Sequence, residues 1–231
     1  MRLNRYLALC GLGSRRKCDE IILQNRVEIN GKPAEQGRKV FPGDEVRVDG
    51  KVVSAEEKMY FLFYKPLNVL TTLSDPRGRP TIADYLKKAP TRLFPVGRLD
   101  FDSEGLLFLT NDGALAHKTQ HPKYEIEKEY LVKTRRKLTA AEKKQFQEGL
   151  ELEEGTTSRA TLEFIEELDA YRVILHQGWY RQIRRMFDVF QVEVTALKRI
   201  RIGNLSLDDM KPGELREIPS EQVRELRKIL Q

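Results

Sequence analysis

The sequence predicts an α+β protein of two units: a small N-terminal module, then a larger body on a mostly antiparallel mixed sheet flanked by helices. Three observations carry that prediction. Short apolar and β-branched runs outnumber helical stripes over most of the chain, without regular strand–helix alternation. Near the N-terminus, two helical stripes precede short alternating segments separated by tight-turn signals. The length, 231 residues with 40% hydrophobic and 33% charged, fits one or two domains with material for a sizeable core. A fully disordered chain is excluded by that composition. No run reaches the roughly 18 apolar residues of a membrane span, the longest being residues 59–64. No apolar segment follows the charged start, so a cytoplasmic protein without a secretory signal is expected.

Leu3, Tyr6, Leu7 and Cys10 keep helical spacing, and Gly11 and Gly13 end that helix. Ser14 is placed to cap a second helix that buries Cys18, Ile21 and Ile22. Arg15, Arg16 and Lys17 fall in its first turn, where three cations oppose the helix dipole. A local rule broken in this way marks a functional surface. Val27 and Ile29, then Val46 and Val48, alternate as strands around turns at Asn30-Gly31, Pro42-Gly43-Asp44 and Asp49-Gly50. This module spans residues 1–55, and residues 53–58 read as a polar linker. The larger unit, 59–231, opens with a strand ending in Lys65-Pro66. A second strand over 67–73, a turn-rich loop over 74–80 and a short helix over 81–86 capped near Thr81 come next. Further strands are predicted over 93–96, 105–110, 129–134, 159–165, 171–175 and 192–197, and helices over 139–149 and 182–190.

Charge is unevenly spread. Residues 1–40 carry nine Lys/Arg against four Asp/Glu, and residues 178–201 six against two. The net charge of +6 therefore sits on two basic islands, while the rest of the chain sums to −3. Such islands suit a polyanion, foremost nucleic acid, or are simply solvated helix faces. Cys10 and Cys18 are read as small buried thiols and not as a disulfide. His117 and His121 have the i,i+4 spacing of a helical metal pair, but Pro122 follows and no third ligand is evident, so no metal is expected.

The most informative stretch is residues 97–113, GRLDFDSEGLLFLTNDG. A charged loop runs into an apolar strand and leaves through the turn Asn111-Asp112-Gly113. Asp100 beside Arg98 at the mouth of a buried strand is a candidate site; an ordinary loop ion pair is the plain alternative. Tyr130 alone reads as a core tyrosine, since Leu131 and Val132 continue a strand.

Two resemblances bear on these residues. Arg2-Leu3-Asn4-Arg5-Tyr6-Leu7, Gly13-Ser14-Arg15-Arg16 and Val27-Glu28-Ile29-Asn30-Gly31 resemble the S4 RNA-binding domain. That likeness implies that Arg15, Arg16 and Lys17 touch phosphates of structured RNA, which suits amides and cations at a helix start. Gly97-Arg98-Leu99-Asp100, Gly105-Leu106-Leu107 and Asn111-Asp112-Gly113 resemble the signature of pseudouridine synthases acting on ribosomal RNA. Lys65-Pro66, the segment 127–132 and the segment 178–187 match further motifs in family order; Trp179-Tyr180 departs from it, where many members carry smaller or polar residues. With an S4-like module in front, the likeness is to the branch holding the small-subunit enzyme and its large-subunit relatives.

The resemblance implies isomerisation of one uridine in bacterial ribosomal RNA, without cofactor or metal. The substrate is ribosomal RNA or a ribosomal assembly intermediate, and the enzyme a monomer. Breaking the N1–C1′ bond resembles glycoside cleavage, but water must be kept out, so one carboxylate suffices. By resemblance that carboxylate is Asp100, Arg184 pairs with it, and Tyr130 stacks on the flipped base or accepts its C5 proton. Whether Asp100 attacks the sugar, adds to the base or removes a ribose proton stays open. Arg98 helps hold RNA or the target nucleotide; Arg181 and Arg185 are assigned to phosphates. Lys65-Pro66 is read as a structural turn whose lysine contacts RNA, and Asp102 and Glu104 as loop-shaping or solvated. Residues 75–81 resemble the large-subunit branch and favour 23S over 16S rRNA. The competing readings are a non-catalytic S4-type rRNA-binding or assembly protein and a nucleosidase, which would show a second placed carboxylate.

Overall fold

A computed structural model describes all 231 residues. The chain divides into one unit of Met1–Met59 with Ala89–Leu93 and a second of Tyr60–Lys88 with Phe94–Gln231. In the first, α1 (Leu3–Leu9) and α2 (Arg15–Leu23) precede β1 (Val27–Ile29), β2 (Lys32–Pro33), β3 (Val46–Val48) and β4 (Lys51–Val52). The strands form an antiparallel sheet in the order β2-β1-β3-β4. Asn30 and Gly31 both take positive φ, 52° and 73°, as a two-residue hairpin turn demands. The Ser14 hydroxyl accepts the Lys17 N–H at 3.2 Å, capping α2 as expected. Leu3, Leu7, Cys18, Ile21 and Ile22 pack on Val27, Ile29, Val46 and Val48.

In the second unit, β5 (Tyr60–Lys65), β6 (Phe94–Val96), β7 (Glu104–Thr110), α3 (Gly113–Gln120), β8 (Lys128–Thr134) and α4 (Ala140–Glu148) come first. The short hairpin β9 (Glu151–Leu152) and β10 (Gly155–Thr156), then β11 (Thr161–Ile165), β12 (Ala170–Leu175) and α5 (Gln182–Asp188) come after them. The chain ends with β13 (Val194–Ile202), β14 (Leu205–Ser206), β15 (Leu215–Glu217) and α6 (Ser220–Ile229). A nine-stranded sheet runs β11-β12-β8-β13-β7-β5-β15, with β14 on β13 and β6 on β7. All its pairs are antiparallel except β13 on β7. Gly105 makes that parallel pair possible: its φ is +109°, and a Cβ there would lie 2.2 Å from the Arg199 carbonyl oxygen. One core joins β5 and β7 to α3 and α6 through Leu62, Phe108, Leu115, Val223 and Leu226. The other joins β8 and β12 to α4 and α5 through Val132, Tyr171, Phe146, Met186 and Phe187.

Two expectations change. The strand over 67–73 does not form: Asn68 is left-handed at φ 60°, which breaks an extended run, and only Leu70 bridges Thr81. The turn Asn111-Asp112-Gly113 opens a helix, because the Asp112 carboxylate accepts the N–H groups of Ala114 and Leu115 and caps α3. The C-terminal β15 and α6 belong to this unit too, with Arg227 of α6 donating to Tyr60 and Asp112.

Candidate active site

The loop bearing Asp100 is held from below by a relay that starts at Lys65. That lysine is fully buried, and its Nζ donates to the carbonyls of Pro66 and Val69, both at 2.8 Å. The tethered segment then grips the Asp100 loop: the Asn68 N–H donates to the Phe101 carbonyl at 2.9 Å. The Thr71 hydroxyl donates to the Leu99 carbonyl at 2.6 Å and accepts the Leu99 N–H at 3.2 Å. Lys65 therefore shapes the loop and is not a surface contact for RNA, which corrects half of its expected role. Burial lowers its ammonium to about 8, against the pull of Asp100, Asp102 and Glu104.

Asp100 does not pair with Arg184. On α5, Arg184 is buried; one Nη donates to the Val194 carbonyl at 2.8 Å, and the other to the Asp102 carbonyl at 2.8 Å, 3.3 Å from its carboxylate. Those hydrogen bonds anchor the guanidinium beneath residue 102 and keep it from Asp100. Arg181, left-handed at φ 49° just before α5, turns toward the loop instead. It grips Asp102 bidentately, 3.0 Å on each oxygen, and comes within 3.9 Å of Asp100. Burial works against the Asp102 charge, but the Arg181 bonds and the Arg184 and Arg181 charges prevail and hold its carboxyl below the usual range. Glu104 accepts the Tyr64 hydroxyl at 2.9 Å. Arg185 is bound to Glu154 at 2.6 Å, so neither Arg181 nor Arg185 is an uncommitted phosphate ligand.

A cavity of about 710 Å³ opens on this loop. Asp100, Arg98, Tyr130 and Arg181 line it; Arg184, Arg185, Asp102 and Glu104 do not. The Tyr130 ring is buried on β8, opposite Arg199 of β13. Trp179 and the 73% exposed Tyr180 stand on the cavity wall, at the departure from the family pattern. Lys128 and Arg199 also line the cavity; Lys128 lies in the matched segment 127–132 but receives no role there, and Arg199 lies outside the matched motifs. The available signal was parity: Lys128 lies two residues before Tyr130 on one strand, hence on the same face. The Asp100 carboxylate, a buried ring and several cations around one cavity can hold an extruded base beside an acidic side chain.

Arg15, Arg16 and Lys17 are exposed on the first unit, with Lys17 salt-bridged to Glu20 at 2.9 Å. His117 and His121 face each other with ring centroids 5.3 Å apart, and no three His, Cys, Asp or Glu side chains gather as a metal site.

A helix–strand module thus precedes a mixed sheet whose cavity holds one loop carboxylate, Asp100, out of the three at 100, 102 and 104. Residues 1–46 match the S4 domain and residues 59–188 match RNA pseudouridylate synthase. The chain belongs to the RNA pseudouridylate synthase family, isomerases of uridine within RNA. It is 39% identical over 234 residues to ribosomal large subunit pseudouridine synthase B of Bacillus subtilis (strain 168), covering 99% of this chain and 96% of that one. The dual-specificity RNA pseudouridine synthase RluF of Salmonella typhi is 37% identical over 233 residues, 100% of this chain and 80% of that protein. A crystal structure of a pseudouridylate synthase superposes with a TM-score of 0.72 at 30% identity, covering 98% of this chain and 99% of the other.

Proposed function

We propose that the protein converts one uridine of bacterial ribosomal RNA to pseudouridine, in 23S rather than 16S rRNA, with Asp100 as its single essential carboxylate. One observation carries the assignment of Asp100. Of the three carboxylates at 100, 102 and 104, Asp100 alone lines the cavity, while Asp102 is clamped by Arg181 and Arg184 and Glu104 receives the Tyr64 hydroxyl. The choice of 23S rRNA is supported by the Bacillus relative, named for the large ribosomal subunit, and by the loop over 75–81. In this reading Tyr130 stacks on the flipped uracil and its hydroxyl takes the C5 proton. Arg98 holds the target strand at the cavity mouth. Arg184 acts at one remove, by fixing residue 102 of the loop. Arg15, Arg16 and Lys17 supply affinity for phosphates. The enzyme works as a cytoplasmic monomer on rRNA or an assembly intermediate.

Mapping pseudouridines in rRNA from a strain lacking the gene tests the reading. One 23S position should lose its modification and regain it with the wild-type gene but not with Asp100→Asn. An unchanged 23S map would refute the choice of RNA, and restoration by Asp100→Asn would refute the residue.

A further inference from the structure

Lys128 and Arg199 face the cavity with no carboxylate partner. The Lys128 Nζ donates to the carbonyls of Ile126 at 3.1 Å and His176 at 3.2 Å, leaving one N–H open. Arg199 is 3% exposed; its Nε donates to the Leu106 carbonyl at 2.8 Å, its Nη1 to the Arg98 carbonyl at 3.4 Å, and its Nη2 has no partner. Arg199 pairs across strands with Tyr130, and Lys128 lies two residues before that tyrosine. Burial, and then Arg199, push the Lys128 ammonium down to about 8. Two neighbouring cations, Arg199 buried and Lys128 half-buried, resting on neutral carbonyls are costly unless an anion completes them.

We propose that Lys128 and Arg199 form an anion-stabilising floor, which takes up the negative charge that develops on the uracil oxygens as the base leaves ribose. The proposal rests on the synthase reading of the cavity. When the N1–C1′ bond breaks, its electron pair stays on the base, spread from N1 to O2 and O4, and C1′ is left cationic beside Asp100. After the base turns, the pair forms the C5–C1′ bond; C5 then releases its proton to the Tyr130 oxygen as that hydroxyl passes its own proton on toward N1, so the phenol ends as it began. Protons and electrons balance, and the only transient charge on the base is negative. Fixed donors already in place stabilise such charge without reorganising. A backbone phosphate is the rival anion, but an extruded base reaches deeper than the backbone carrying it, and Arg199 is buried.

The test compares single turnovers on 23S transcripts made with uridine and with 5-fluorouridine. Fluorine stabilises the departing base anion and blocks the last proton loss, so detachment and rejoining are read together as a trapped product. Arg199→Gln and Lys128→Met should each slow the uridine reaction about 100-fold, in the range for one lost charge-stabilising donor. The loss on 5-fluorouridine RNA should be on the order of tenfold or less, RNA affinity should hold, and Arg199→Lys should recover much of the rate. Equal slowing on both RNAs would overturn the proposal, as would weakened RNA binding with an unchanged saturating rate, the mark of a phosphate contact. If Arg199→Gln does not fold by thermal melting, the Lys128→Met comparison decides. Inactive wild-type protein would sink the synthase reading and this proposal with it; an active wild type with equally slowed variants sinks this proposal alone.

Discussion

The two faces of β8 treat charge in opposite ways. On one, Glu129 is buried but satisfied: Arg172 donates to it at 2.7 Å, Arg201 at 2.6 Å, and Arg201 also reaches Glu127. On the other, the half-buried Lys128 and its buried neighbour Arg199 meet only carbonyls. The first arrangement is complete and holds β12, β8 and β13 together. The second is complete only with a ligand, so substitutions on the two faces should separate stability from turnover.

The largest effect is expected on the cavity side. Asp100→Asn should abolish pseudouridine formation while melting temperature and RNA affinity stay near wild type; turnover by the folded variant would erase the contrast. Tyr130→Phe comes next. It keeps the ring, whose stacking is worth about 1–3 kcal/mol per base. It loses the oxygen proposed to take the C5 proton, so binding should persist while turnover falls roughly 10²- to 10⁴-fold. Substrate deuterated at C5 should then show a larger isotope effect than with wild type. A wild-type rate would leave Tyr130 with stacking alone.

On the opposite face, Glu129→Gln should cost about 2 kcal/mol of stability, the scale of hydrogen bonds to a charged group, with kcat nearly unchanged. Burial opposes the Glu129 charge, but Arg172 and Arg201 outweigh it and keep its carboxyl below the usual range. The unfolded chain therefore takes up protons first on acidification. The contribution of Glu129 is full above about pH 4.3 and is lost as pH falls through its depressed value. Denaturant melts from pH 6 to pH 3 should show a shallower acid loss in the variant. The mildest test lies in the other unit: replacing Arg15, Arg16 and Lys17 together should reduce the salt dependence of RNA binding, by about 0.7 in log–log slope per lost contact. Single-turnover rates at saturating RNA should not change, and a collapsed rate with intact binding would refute that division of labour.

Much of this was legible because it is local. Asn30-Gly31 admits one tight turn, Ser14 caps the helix that begins beside it, and Gly97-Arg98-Leu99-Asp100 marks its loop by residue order. Two of the expectations that failed depended on partners outside their own segment. Arg184 stands in the expected motif, yet its partners, Val194 and the backbone of residue 102, depend on how α5 packs. The segment over 67–73 has strand-like composition, but Lys65 and the Asp100 loop use its backbone groups for something else. Arg199 looked like one more cation in a basic island, because its burial follows from three strands that sequence spacing does not place together.

The ladder between β13 and β8 slips once between Arg199, opposite Tyr130, and Arg201, opposite Glu129. In a regular strand those two arginines would share a face. The extra residue, Ile200, reverses the parity, and its carbonyl accepts the Leu207 N–H at 2.9 Å. Length variation is thus unequally tolerated along this strand. Losing Ile200 leaves each arginine on its own side and forfeits the bend, that bond and the packing of Ile200 against the core of α3 and α6. Losing Lys198, two positions earlier, would turn Arg199 out of the cavity without changing a single functional residue. When β13 is aligned with that of any relative, a gap at 200 therefore preserves the chemistry of the cavity, whereas a gap at 198 replaces it.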